Sequence, residues 1–132
     1  MKLLSILLAA IVVAVSAGSE APSAHSCVCG KASYNNKEIV ASVNKGYSVN
    51  SNPTSPRGYP HNFNNREKLV FPWCTGGTYI EYPLKSGAPF SGSGSPGADR
   101  VVYLQGPQKT FCGCMTHTGA KTPNGFVLCA NH

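Results

Sequence analysis

Apolar positions change their spacing twice along this chain. From Leu3 to Val15 they are almost unbroken, behind the positive Lys2 and ahead of the small residues Val15-Ser16-Ala17. Such a run is too short and wrongly flanked for a transmembrane helix and reads as a secretory signal peptide over residues 1–17. The polar stretch 18–26 is then expected to be a flexible arm or propeptide, and 27–132 the folded domain. Ile39, Val43 and Tyr47 next recur at intervals of four, one face of a helix. Asn35 is placed to cap it, with Glu38 completing a capping box. Gly46 weakens its last turn, and Asn52-Pro53 stops it.

Beyond Gly58 the period drops to two. Leu69–Phe71, Thr78–Leu84, Asp99–Leu104, Phe111–His117 and Gly125–Cys129 are short, rich in β-branched and aromatic residues, and separated by Gly, Pro or Ser. The Gly/Ser/Pro-rich stretch Ser86–Gly97 suits an exposed loop, or a close backbone approach to something. The pattern predicts an α+β domain, one helix packed on a short-stranded antiparallel sheet. Alternation puts Glu81 on one face of its strand with Tyr79, Arg100 with Val102, and His117 with Met115. A carboxylate, a guanidinium and an imidazole could therefore meet on one sheet surface. The plain alternative is three separate, solvated groups at strand ends.

Composition adds two things. Without Lys2, ten Lys and Arg stand against five acids, a net of about +5 that favours polyanions as partners. All six cysteines, Cys27, Cys29, Cys74, Cys112, Cys114 and Cys129, lie beyond the signal. An even number in an exported chain points to three disulfides and a stapled fold. The closely spaced pairs Cys27/Cys29 and Cys112/Cys114 also allow a metal-site reading, but neither has the usual two-residue zinc spacing. The residues alone leave the pairing open.

Five ordered blocks make the chain recognisable. They are Tyr59-Pro60-His61-Asn62-Phe63-Asn64-Asn65-Arg66-Glu67, Glu81-Tyr82-Pro83-Leu84, Ser95-Pro96-Gly97-Ala98-Asp99-Arg100-Val101-Val102, Thr116-His117-Thr118-Gly119-Ala120, and Phe126 followed by Cys129. Together they resemble the fungal guanyl-specific ribonucleases, from about Cys29 onward. The resemblance implies an extracellular endoribonuclease that acts as a monomer on single-stranded RNA, with no membrane partner, cofactor or metal. It implies Glu81 as general base and His117 as general acid, with His61 beside Glu81. Tyr59 and Arg100 would bind phosphoryl oxygens, and Phe126 would wall the pocket. RNA would be cut by transphosphorylation to a 2′,3′-cyclic phosphate, then hydrolysed to a 3′-phosphate.

For the base, the resemblance implies backbone groups around Asn64 and Asn65 reading guanine O6 and N7, Glu67 accepting from N1 and N2, Phe63 stacking, and Asn124 contributing another contact. Arg66 departs from the family, which places a tyrosine over the base; a guanidinium also stacks. One extra residue lies between His117 and Phe126. The resemblance further implies disulfides Cys29–Cys129 and Cys74–Cys112, leaving Cys27 with Cys114, and a cis Tyr59–Pro60 bond. Two neighbouring outcomes share the resemblance: a ribotoxin acting on ribosomal RNA, and an effector that uses the fold on host RNA or binds it without turnover. The full set of catalytic-type residues favours an active enzyme.

Overall fold

A computed structural model describes residues 24–50 and 56–132. The expected signal peptide, residues 18–23 of the expected arm and the expected Asn52-Pro53 stop lie outside the described residues. Helix α1 spans Asn36–Asn50, and its start is the capping box expected from the sequence. Asn35 N–H donates to Glu38 Oε1 (3.0 Å), and Glu38 N–H donates to Asn35 Oδ1 (2.9 Å). Glu38 Oε2 also accepts from the Gly87 amide at 2.6 Å, tying the helix start to the Ser86–Gly97 loop.

Two antiparallel sheets carry the rest. In the first, β1 (Cys27–Cys29) pairs with β2 (Ala32–Tyr34) and with β8 (Ala130–Asn131). The second has the order β3-β4-β5-β6-β7, from His61–Asn62, Tyr79–Pro83, Asp99–Leu104, Phe111–Thr116 and Val127–Leu128. Helix α1 lies on β4 and β5. Its Ile39 and Val43 join Ile80, Tyr82, Val101, Tyr103 and Cys114 in one core. Gly46 turns out to be required at this contact: a Cβ there would fall on the Tyr103 hydroxyl. A second, smaller core on the opposite sheet face holds Phe71, Val102, Cys112, Met115 and Phe126.

Several predicted elements change at their edges. Leu69–Phe71 is not a strand. The Asn65 side chain satisfies the Leu69 backbone in place of a ladder, accepting from its N–H (2.7 Å) and donating to its C=O (2.9 Å). The predicted Gly125–Cys129 strand shortens to β7, and just beyond it β8 joins the other sheet. Strand β3 and the β1–β2 hairpin are too short for alternation to reveal. The end of the arm is also docked rather than loose. Ser26 exchanges two backbone hydrogen bonds with His132 (3.0 and 2.9 Å), and the His25 ring lies 3.8 Å from that of Trp73.

The cysteines pair as Cys27–Cys114, Cys29–Cys129 and Cys74–Cys112, so none is free for a metal. These are the pairs the resemblance implies. Cys29–Cys129 spans a sequence separation of 100 and ties the hairpin to the link between β7 and β8. In the chain-entropy model, closing such a loop stabilises the fold by up to ~4.7 kcal/mol.

Candidate active site

The site lies on the sheet face away from α1. Antiparallel register sets Glu81 opposite Val102 and Pro83 opposite Arg100. Arg100 is in turn opposite Met115, so Glu81, Arg100 and Met115 share a face. His117 follows the last residue of β6, its N–H held by the Ala98 carbonyl at 2.9 Å. On the other edge, β3 places His61 directly across from Glu81. The predicted meeting of carboxylate, guanidinium and imidazole is thus the observed arrangement, and the reading of three separate solvated groups does not hold.

Glu81 is 4% exposed and Arg100 3%. Burial at that level is tolerated for charges only when they are paired. Glu81 Oε2 is 3.3 Å from Arg100 Nε, and Oε1 is 3.3 Å from His61 Nδ1. Neither Oε2 nor Nε has a well-aligned hydrogen-bond partner among the described residues. Burial pushes the Glu81 carboxyl above its ordinary pKa, outweighing the pull of His61, Arg100 and His117 in the other direction. The group is therefore a stronger base than a solvated glutamate.

Of the other four Arg100 N–H donors, three are committed. Nη1 donates to the carbonyls of Gly97 (2.8 Å) and Asp99 (2.9 Å), and Nη2 to the Tyr59 hydroxyl (2.8 Å). Since that hydroxyl accepts from Arg100, its own proton is free to point into the cleft. The Tyr59–Pro60 bond is cis. Tyr59 stacks on the His61 ring at 4.7 Å. His61 is the exposed member, at 46% of its side chain, and its Nδ1 also contacts the Asn62 carbonyl at 3.1 Å.

His117 is fixed from two sides. Its Nδ1 lies 2.7 Å from the Gly125 carbonyl, and its ring stacks on Phe126 at 3.9 Å. A carbonyl can only accept, so Nδ1 carries the hydrogen and Nε2 is the nitrogen left to gain or lose a proton. Phe126 in turn meets Phe63 edge-on at 5.5 Å.

A cavity of about 240 Å³ adjoins this cluster, lined by Phe63, Asn64, Asn65, Arg66, Glu67 and Asn124 and opening on Glu81 and Phe126. All six residues expected to contact a base therefore surround one space. Asn65 holds a left-handed conformation (φ 50°), which its side-chain bonds to Leu69 support. Glu67 Oε2 accepts from the Phe126 amide at 2.6 Å.

Sequence reasoning missed the backbone carbonyls of Gly97, Asp99 and Gly125 that orient Arg100 and His117. It also missed the role of Asp99, whose carboxylate accepts from Tyr34 OH (2.5 Å) and Thr116 Oγ1 (2.6 Å) and so fixes the strand ends from which Arg100 and His117 project. Main-chain acceptors leave no trace in residue identity. The Tyr34–Asp99 partnership spans 65 residues with no spacing signal.

One helix against an antiparallel sheet, with a buried carboxylate, an arginine and two histidines on the open face, defines the small ribonuclease class. A family model described as ribonuclease matches residues 22–130, and the chain belongs to that family, with the fungal guanyl-specific enzymes as its relatives. Guanyl-specific ribonuclease U1 of Ustilago sphaerogena is 43% identical over 102 residues, covering 77% of this chain and 92% of that one. Extracellular guanyl-specific ribonuclease Fl1 of Gibberella baccata is 38% identical, covering 78% and 94%. Among solved structures, a ribonuclease from Hericium erinaceus superposes with a TM-score of 0.56 at 33% identity, covering 79% of this chain and 97% of that one.

Proposed function

We propose that this protein is a secreted, guanine-preferring endoribonuclease that acts as a single chain on single-stranded RNA without metal or cofactor. The observation that carries the reading is the buried Glu81 carboxylate, held between Arg100 and His61 with its basicity raised by burial. Glu81 takes the proton of the 2′-hydroxyl, and that oxygen attacks the adjacent phosphorus. The bond from phosphorus to the 5′-oxygen breaks, and His117 Nε2 supplies that oxygen with a proton. A 2′,3′-cyclic phosphate results. In the second step His117 takes a proton from water, the hydroxide opens the ring, and Glu81 returns its proton to the 2′-oxygen, leaving a 3′-phosphate. Each proton transfer of this kind contributes roughly 10²–10⁴-fold. Arg100, the Tyr59 hydroxyl and His61 stabilise charge on the phosphoryl oxygens, preorganised where water is partly excluded. Phe126 walls the cleft.

Guanine preference follows from Glu67. Guanine presents donors at N1 and N2, which a carboxylate can accept, whereas adenine has no hydrogen at N1. Backbone groups at Asn64 and Asn65 face O6 and N7, Phe63 and Arg66 flank the ring, and Asn124 closes the edge. Export is supported by the signal-like residues 1–17, three disulfides, and a relative named as extracellular.

The test is an RNA oligonucleotide with one guanine, incubated with the mature protein in EDTA. The expected outcome is a single cut leaving a cyclic phosphate on that guanosine. Equal cutting after adenine overturns the base preference, and undiminished cutting by Glu81→Ala/His117→Ala overturns the mechanism.

A further inference from the structure

Two of the contacts described above meet on a single peptide group. The Gly125 carbonyl accepts from His117 Nδ1 at 2.7 Å, and the Phe126 N–H donates to Glu67 Oε2 at 2.6 Å. Those two atoms are the oxygen and hydrogen ends of the one planar Gly125–Phe126 amide. The side chain of the same Phe126 stacks on the His117 ring. We infer that this amide is a rigid coupler between base recognition and proton donation, and that Glu67 is a positioning residue for His117 as well as a reader of guanine. The inference rests on the function proposed above and deepens it.

An amide cannot turn its N–H without turning its C=O, so whatever fixes one end fixes the other. A charge-assisted bond from a carboxylate is short and about twice as strong as a neutral one, so Glu67 is a firm anchor for that plane. An amide with both ends engaged is polarised, which strengthens the bond that holds the imidazole. Without this anchor the plane would rest on a loop of exposed residues, Lys121 to Asn124, held by a turn bond from Gly125 N–H to the Thr122 carbonyl at 3.1 Å.

Recognition need not break the link. A carboxylate has more lone pairs than the single Phe126 contact uses, so Glu67 can receive guanine donors while keeping the amide. A base that does not engage Glu67 leaves it free to swing and the amide less firmly held. Base identity would then be felt in the turnover step as well as in binding.

The test uses the intact, oxidised protein with Glu67→Ala and Glu67→Gln. In the free protein, nuclear magnetic resonance follows the His117 ring Nδ1–H signal and the exchange of the Phe126 amide. Glu67→Ala is expected to speed Phe126 exchange and to shift or broaden the His117 ring signal, with no ligand present. Glu67→Gln keeps an acceptor for the amide and is expected to recover both. On saturating GpC dinucleotide, Glu67→Ala should lower kcat by about tenfold or more, the effect of losing a charge-assisted hydrogen bond, beyond any rise in KM. Glutamine should recover part of that kcat. A His117 signal unmoved in Glu67→Ala, or a loss confined to KM, overturns the coupling. Absence of RNA cleavage by the unaltered protein would instead defeat the proposed function, so the two failures are distinguishable.

Discussion

The two faces of β4–β6 are built from alternate residues of the same strands, yet they handle buried polarity in opposite ways. Towards α1, the polar groups are the phenols of Tyr82 and Tyr103, which remain neutral, and at the strand end the Asp99 carboxylate, which is held by the hydroxyls of Tyr34 and Thr116. Tyr82 donates to the Phe90 carbonyl at 2.5 Å, and burial pushes the Tyr82 and Tyr103 hydroxyls to higher pKa. On the other face the polar groups are ions, Glu81 and Arg100, kept charged by each other, by His61 and by backbone carbonyls. On the α1 side buried polarity is met by hydroxyls and carbonyls, while the face open at one end sets ion against ion and can hold charge ready for a substrate. One face gives stability and the other chemistry.

The strongest way to break this contrast is to remove charge from the open face. Glu81→Ala should lower cleavage of a single-guanine oligonucleotide by roughly 10²–10⁴-fold. On the closed face, Ile39→Ala should cost about 2–5 kcal/mol in urea unfolding, through lost transfer energy and a cavity. The folded fraction should still cut RNA at the unaltered rate.

A pH profile sharpens the contrast further. Because the Glu81 pKa is raised, activity should fall on acidification at a pH above that of a solvated carboxylate, as the base becomes protonated. An acid limb in the ordinary carboxylate range would show that burial does not tune this group. The smallest expected effect is Tyr82→Phe, about 0.5–1.5 kcal/mol for one hydrogen bond, measured by the same urea titration and leaving turnover intact.

How much of this was legible in the sequence follows the same division. The helix was readable because Asn35, Glu38, Ile39 and Val43 act within a few residues of one another. The site face was readable in outline because strand alternation is local, so Glu81 and Arg100 could be put on equivalent faces before their pairing was known. Five ordered blocks then supplied the long-range arrangement. What stayed hidden depends on backbone atoms or distant partners. Leu69 looked like part of a strand, since nothing in its own segment announces that the Asn65 side chain replaces the ladder. The end of the arm looked loose because its partners, Trp73 and His132, lie far along the chain. The Gly125 carbonyl is invisible to any reading by residue type.

The staples of the N-terminal hairpin carry a consequence for the order of events during synthesis. Cys27 and Cys29 find their sulfur partners 87 and 100 residues later. His117 and Phe126 arrive equally late, well after Glu81 and Arg100 have been made. A nascent chain therefore carries Glu81 and Arg100 for some time with neither His117 nor the covalent clamp. For a protein that cuts RNA, made on a machine of RNA, the cutting parts come together only when translation of the domain is nearly done.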